Sequence, residues 1–118
     1  MPLHSETTVT HADPASVVIT VEDVPEVDAH VNVHVVVNPR FALVMGQAHD
    51  PEPTSVTQTT VSWVNFSISQ SGQQKFVVSL AQNPEAESSC SAVSVFVDGT
   101  DSNGHHASFT GSPTVCFP

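Results

Sequence analysis

Two cysteines, seven histidines and twelve carboxylates are the groups of this 118-residue chain that could do chemistry. Cys90 and Cys116 lie too far apart in sequence for a CxxC redox pair or a zinc knuckle. Cys90 precedes one C-terminal strand and Cys116 falls in the last. Neighbouring strands could bring the two together as a disulfide, and buried free thiols are the other reading. A bridge across that loop would stabilise the fold by up to about 3.5 kcal/mol in the chain-entropy model. It would also imply an oxidising working environment.

The histidines invite a metal reading that their spacing does not support. His30 and His34 share a strand face, but four residues of strand span about 13 Å, too far for one ion to bridge. His105 and His106, adjacent in sequence, point to opposite faces if extended. Solvent-facing strand positions explain them better. Together they still matter, because protonation around pH 5 to 6 would offset much of the acidic charge and alter assembly.

Asp98-Gly99-Thr100-Asp101-Ser102-Asn103-Gly104 has the oxygen density of a calcium loop, with Asp98, Asp101 and Asn103 as its ligands. It lacks the D-x-D-x-D-G spacing and the closing bidentate glutamate. A turn built on residues that tolerate positive φ explains it fully. Glu22, Asp23, Glu26 and Asp28 read as a solvated edge, where charge discourages stray strand pairing. Asn65-Phe66-Ser67 is a formal glycosylation sequon, relevant in a eukaryotic secretory host. The chain contains no G-x-S-x-G, H-E-x-x-H, P-loop or glycine-rich dinucleotide turn. No catalytic residue, metal set or cofactor is therefore assigned, and the chain is not expected to be an enzyme. The partner-binding residues stay open.

The elements that must carry these groups are strands. Valine occurs 21 times and threonine 11, against three leucines. Branched β-carbons suit a pleated surface better than a helix. Val17, Ile19 and Val21 share one face of a strand, and Val31, Val33, Val35 and Val37 one face of the next. Asn38-Pro39-Arg40 interrupts, and Phe41, Leu43 and Met45 then alternate. After a turn-rich stretch from Gly46 to Pro53, a strand runs from Ser55 through Val61 and Trp63. The phase shifts at Val64, with Phe66 and Ile68 following, which predicts a bulge or a switch between sheets. Phe76, Val78 and Leu80 alternate next, then Val93, Val95 and Val97, and Phe109 and Val115 to Phe117 close the sheet. Seven or eight short strands at this spacing predict an all-β, antiparallel two-sheet sandwich over residues 16–118. Trp63, the one tryptophan, reads as core packing. One tryptophan and no tyrosine is a poor supply of platforms for sugar rings. Residues 1–15 are polar, end at Asp13-Pro14, and read as an extended N-terminal arm.

Charge narrows the partners. Arg40 and Lys75 are the only basic side chains, and the formal net charge is −10. Binding to a phosphate backbone runs on lysines and arginines that release counterions, so nucleic acid is excluded. Anionic lipid is excluded on the same ground, and no apolar run approaches the roughly 18 residues that span a bilayer. The first residues carry neither a basic nor an apolar signal region, so the chain is expected to lack a Sec signal or to have lost one.

The order of segments is similar to one known pattern. Val17-Val18-Ile19-Thr20-Val21 is followed by Val31-Asn32-Val33-His34-Val35, then by Pro39 and Phe41-Ala42-Leu43-Val44. Thr60-Val61-Ser62-Trp63, Gly72 to Val78 and Ala92-Val93-Ser94-Val95 complete it. Residues 16–97 resemble the DUF11-type immunoglobulin-like repeat of prokaryotic cell-surface proteins. The turn after the first strand, Glu22-Asp23-Val24-Pro25, departs from the family's Asn-Gly, and Asn38-Pro39 stands where the family has an Asp before Leu-Pro. The resemblance implies an immunoglobulin-like sandwich that spaces or binds, with no catalytic residues to carry over. The expectation is a structural or interaction module with protein partners in a larger assembly. A capsid shell on a virion exterior is the first setting, and a surface layer outside a prokaryotic cell the second. A calcium- or carbohydrate-binding module is the third reading.

Overall fold

The computed structural model describes residues 4–10, 15–23, 29–47, 49–68, 72–87, 90–100, 104 and 106–117. Among them run eleven strands and no helix: β1 (His4–Thr10), β2 (Ala15–Asp23), β3 (Ala29–Val36), β4 (Ala42–Val44), β5 (Ser55–Val56), β6 (Thr60–Ile68), β7 (Gly72–Gln82), β8 (Cys90–Ala92), β9 (Ser94–Thr100), β10 (His106–Gly111) and β11 (Thr114–Cys116). They form a four-stranded sheet in the order β1-β2-β7-β4, a five-stranded sheet in the order β10-β9-β3-β6-β5, and a two-stranded β11-β8 ribbon. Every pairing between named strands is antiparallel.

The valine alternation does what its period requires. Val17, Ile19 and Val21 of β2 and Phe76, Val78 and Leu80 of β7 are fully buried. Opposite them in the same core lie Val31, Val33 and Val35 of β3, Val61 and Trp63 of β6, and Val95 and Val97 of β9. Burying side chains of this size stabilises by roughly 1.5–3 kcal/mol each, and two packed faces are the stable way to do it. Aromatic rings tie the sheets together. Phe76 of β7 meets Trp63 and Phe66 of β6 edge-on, with centroids 5.0 and 5.1 Å apart. Trp63 is therefore core, and its Nε1–H donates to the Pro51 carbonyl at 2.9 Å.

The spatial order matches the immunoglobulin-like sandwich, in which strands A, B, E and D face G, F and C. Here β1, β2, β7 and β4 stand in the first four places and β10, β9 and β3 in the others. The chain departs from the usual route after β3. It visits the edge of the four-stranded sheet as β4 before returning as β6 beside β3.

Three local expectations need correction. Residues 1–15 do not form an arm throughout: His4–Thr10 pairs with β2 from His4↔Glu22 to Thr10↔Ser16. The remaining residues of that segment lie outside the described ones, apart from Ala15, which begins β2. In β4 the inward positions are Ala42 and Val44, while Leu43 and Met45 are half-buried. Phe41 is buried because it tilts against Phe117, 5.2 Å between centroids, outside the strand's alternation. The strand drawn from Ser55 through Trp63 is a hairpin. The Thr57 hydroxyl accepts the main-chain N–H groups of Thr59 and Thr60, which turns the chain between β5 and β6.

Candidate functional site

Period 2 sends the even-numbered residues of β3 to the outside of the five-stranded sheet. His30 and Val36 are exposed there, and Asn32 and His34 are half-buried. Register aligns this face into rows. His106, Thr100 and His30 stand opposite one another across β10, β9 and β3. Ser108, Asp98 and Asn32 form the next row, and Thr110, Phe96, His34 and Ser62 the one after. Asp98 is the carboxylate of these rows, and its Oδ1 lies 2.7 Å from His106 Nε2. On a chain of charge −10 this is a face of low charge.

Among the described residues no group of three His, Cys, Asp or Glu side chains could hold an ion. His34 Nδ1 and Ser62 Oγ share a hydrogen bond of 2.8 Å, the one arrangement here that looks like a nucleophile and its base. Ser62 is 7% exposed, and its hydroxyl bonded to the His34 ring links β6 to β3 across the ladder.

Asp98 does not sit in a turn. It lies within β9, paired with Ser108 on one side and Asn32 on the other. Gly99 and Thr100 continue the strand because β10 and β3 both offer it backbone partners up to Thr100. Asp101 and Asn103, the other two residues of the candidate calcium loop, lie outside the described residues. Cys90 and Cys116 are joined in a disulfide. Their strands place them directly opposite in the β8–β11 ribbon, with Cα atoms 4.1 Å apart. Near that ribbon an open recess of about 410 Å³ is lined by Arg40, Asn83, Glu85, Glu87 and Ser91.

Phe96 was not singled out by the sequence, and it is the most informative residue of the face. Its ring is 45% exposed in the middle of β9, flanked by the buried Val95 and Val97. The signal was available, because a phenylalanine between two core valines on a strand must point away from the core. Val36, 37% exposed, stands diagonally from it, one row along on β3. Beside Phe96 on the other side runs β10, whose only neighbour in the sheet is β9 among the described residues.

No family model matches the chain, and no curated protein does. The likeness of residues 16–97 to the DUF11-type repeat therefore stays one of strand and turn pattern. Among solved structures the chain is similar to an uncharacterized protein from Nocardia farcinica, whose crystal structure is described as revealing an immunoglobulin-like fold. Identity is 19%, 97% of each chain is covered, and the TM-score is 0.45. The sandwich itself is shown by the strand order described above.

Proposed function

We propose that this chain is a non-catalytic structural and interaction module that attaches to a larger protein assembly. The observation that carries the reading is the edge of β10, which among the described residues pairs with β9 alone and lies near β1, beside the exposed Phe96. Strand β10, His-Ala-Ser-Phe-Thr-Gly, has no proline or lysine to blunt it. An added strand would take main-chain hydrogen bonds from this edge and lay its side chains beside Thr110 and Phe96, which face each other across β9 and β10. Such augmentation needs neither a metal nor a cofactor. The acidic surface keeps the free chain from meeting nucleic acid or its own copies indiscriminately.

The setting proposed first is the exterior of a virus particle, where the module would decorate or cement the capsid. A prokaryotic cell surface is the second, favoured by the pattern of residues 16–97. The Cys90–Cys116 disulfide supports either oxidising exterior. Density-gradient fractionation of the native source decides between them. Co-migration with capsids supports the first setting and co-migration with envelopes the second. Recovery only in the soluble fraction contradicts both, and ligand screening would then take precedence.

A further inference from the structure

Two loops meet at the recess beside the β8–β11 ribbon, and one side chain ties them together. Asn83, just past the end of β7, donates its main-chain N–H to the Phe41 carbonyl at 2.9 Å and its Nδ2–H to the Pro39 carbonyl at 2.8 Å. Its Oδ1 accepts the Glu85 N–H at 2.9 Å, and its own carbonyl the Ala86 N–H at 2.9 Å. On the facing loop, the Asn38 carbonyl accepts from Phe41 and Ala42 at 3.0 and 3.1 Å, and its Oδ1 accepts the Arg40 N–H at 3.0 Å. Phe41, packed on Phe117, roots that loop in the core. Backbone held this way carries its charged side chains at fixed stations.

Those charges are opposite. Arg40 stands on the first loop, Glu85 and Glu87 on the second, all three exposed and all lining the one recess of about 410 Å³. Among the described residues Arg40 is in no ion pair, although both glutamates share its walls. A guanidinium and two carboxylates held apart across an open recess are complemented by a ligand with the charges reversed. We propose that the recess binds a lysine or arginine residue with a free α-carboxylate, as the amino acid itself or as the C-terminus of a polypeptide. The carboxylate takes the guanidinium fork of Arg40, and the basic side chain lies against Glu85 and Glu87. A purely anionic ligand would meet two carboxylates for one guanidinium, and a purely cationic one would leave Arg40 without a partner. Net positive charge on the ligand also draws it to a chain of formal charge −10. The volume lies within the range of small-ligand sites. None of the lining residues belongs to β9 or β10, so this site and attachment through β10 stand or fall separately.

The test is titration of the isotope-labelled intact chain with L-arginine, with L-argininamide and with a short acetylated peptide ending in arginine, at constant ionic strength. Amide shifts of Arg40, Phe41, Glu85 and Ser91 should move saturably, with half-saturation at about 1 to 10 mM, the scale of a few exposed charge-assisted contacts. Saturation by the peptide assigns a chain terminus as the ligand, and saturation by the amino acid alone assigns the free form. L-Argininamide keeps both cations and lacks the carboxylate, so it should bind at least about fivefold more weakly. Simple attraction to an acidic surface would give the reverse order. Arg40→Gln, and separately Glu85→Gln with Glu87→Gln, change exposed side chains and should leave the fold intact. Each should weaken binding about fivefold. No saturable shift with arginine or the peptide, argininamide binding as tightly as arginine, or Arg40→Gln binding like wild type overturns the proposal.

Discussion

The side-chain carbonyl of Asn32 on β3 accepts the main-chain N–H of Asn65 on β6 at 2.8 Å. The bond sits where the pairing slips: Val31 faces Phe66, yet Val33 faces Trp63, so Val64 and Asn65 together stand against Asn32. Asn65 adopts φ 53°, a left-handed conformation that asparagine tolerates. The extra residue lets Val61 and Trp63 before it, and Phe66 and Ile68 after it, all turn toward the core, while Val64 is left 51% exposed. Asn65→Val should cost about 1–2 kcal/mol, because a branched side chain resists this φ. Asn65→Gly should be close to neutral, and Asn32→Ala should cost about 0.5–1.5 kcal/mol for the lost acceptor. Urea denaturation midpoints of the three variants check this order.

A bulge or a switch between sheets was legible because the hydrophobic phase changes, Val61 and Trp63 being odd and Phe66 and Ile68 even. Val64, expected to alternate with Phe66 and Ile68, is instead 51% exposed because the bulge turns it outward. Also legible were β2, β3, β7 and β9, each of which carries at least two large apolar residues at successive inward positions. Strand β1 was hidden for the opposite reason. Its alternation is carried by Ser5, Thr7 and Val9 against Glu6, Thr8 and Thr10, so its stability comes from the β2 ladder and little from burial. The route of β4 to the far edge of the other sheet has no local signature at all, since it depends on which edge is free. The same holds for the His49 ring, which the Ser79 N–H and the Met45 carbonyl meet from distant and nearby chain. Phe96 could have been read from its parity between Val95 and Val97.

The aromatic contact between the sheets sets a second expectation. Phe76 is fully buried between Trp63 and Phe66, so Phe76→Ala should cost about 3–5 kcal/mol. Trp63→Phe retains most of the apolar volume and loses the bond to the Pro51 carbonyl, so it should cost less than Phe76→Ala. Far-ultraviolet circular dichroism during denaturation reads both, since the tryptophan signal is absent from the second variant.

The disulfide ties the β8–β11 ribbon across 26 residues of sequence. Replacing both cysteines, Cys90→Ser with Cys116→Ser, should lower stability by up to about 3.5 kcal/mol in the chain-entropy model. A melt of the wild-type chain with and without a strong reductant should show the same downward shift. An unchanged melt on verified reduction would contradict it.

Calcium should leave the protein unmoved. Asp98 is held in a strand with its Oδ1 against His106, and both neighbouring strands fix its backbone. Thermal melts in millimolar calcium and in EDTA are therefore expected to coincide. A higher melting temperature with calcium would revive the loop from Asp98 to Asn103 as a site.

Attachment through β10 and Phe96 is tested most directly by titrating the purified chain against the isolated particle from the native source and measuring what pellets. Wild-type chain should pellet saturably. The double variant Phe96→Ser, Thr110→Lys changes two solvent-facing positions, so its stability should stay within about 0.5 kcal/mol of wild type. Its apparent affinity should fall by at least about tenfold, because a lysine blunts the edge and the aromatic anchor is gone. A chain that stays in the supernatant at every particle concentration, or a double variant that pellets like wild type, would contradict the account.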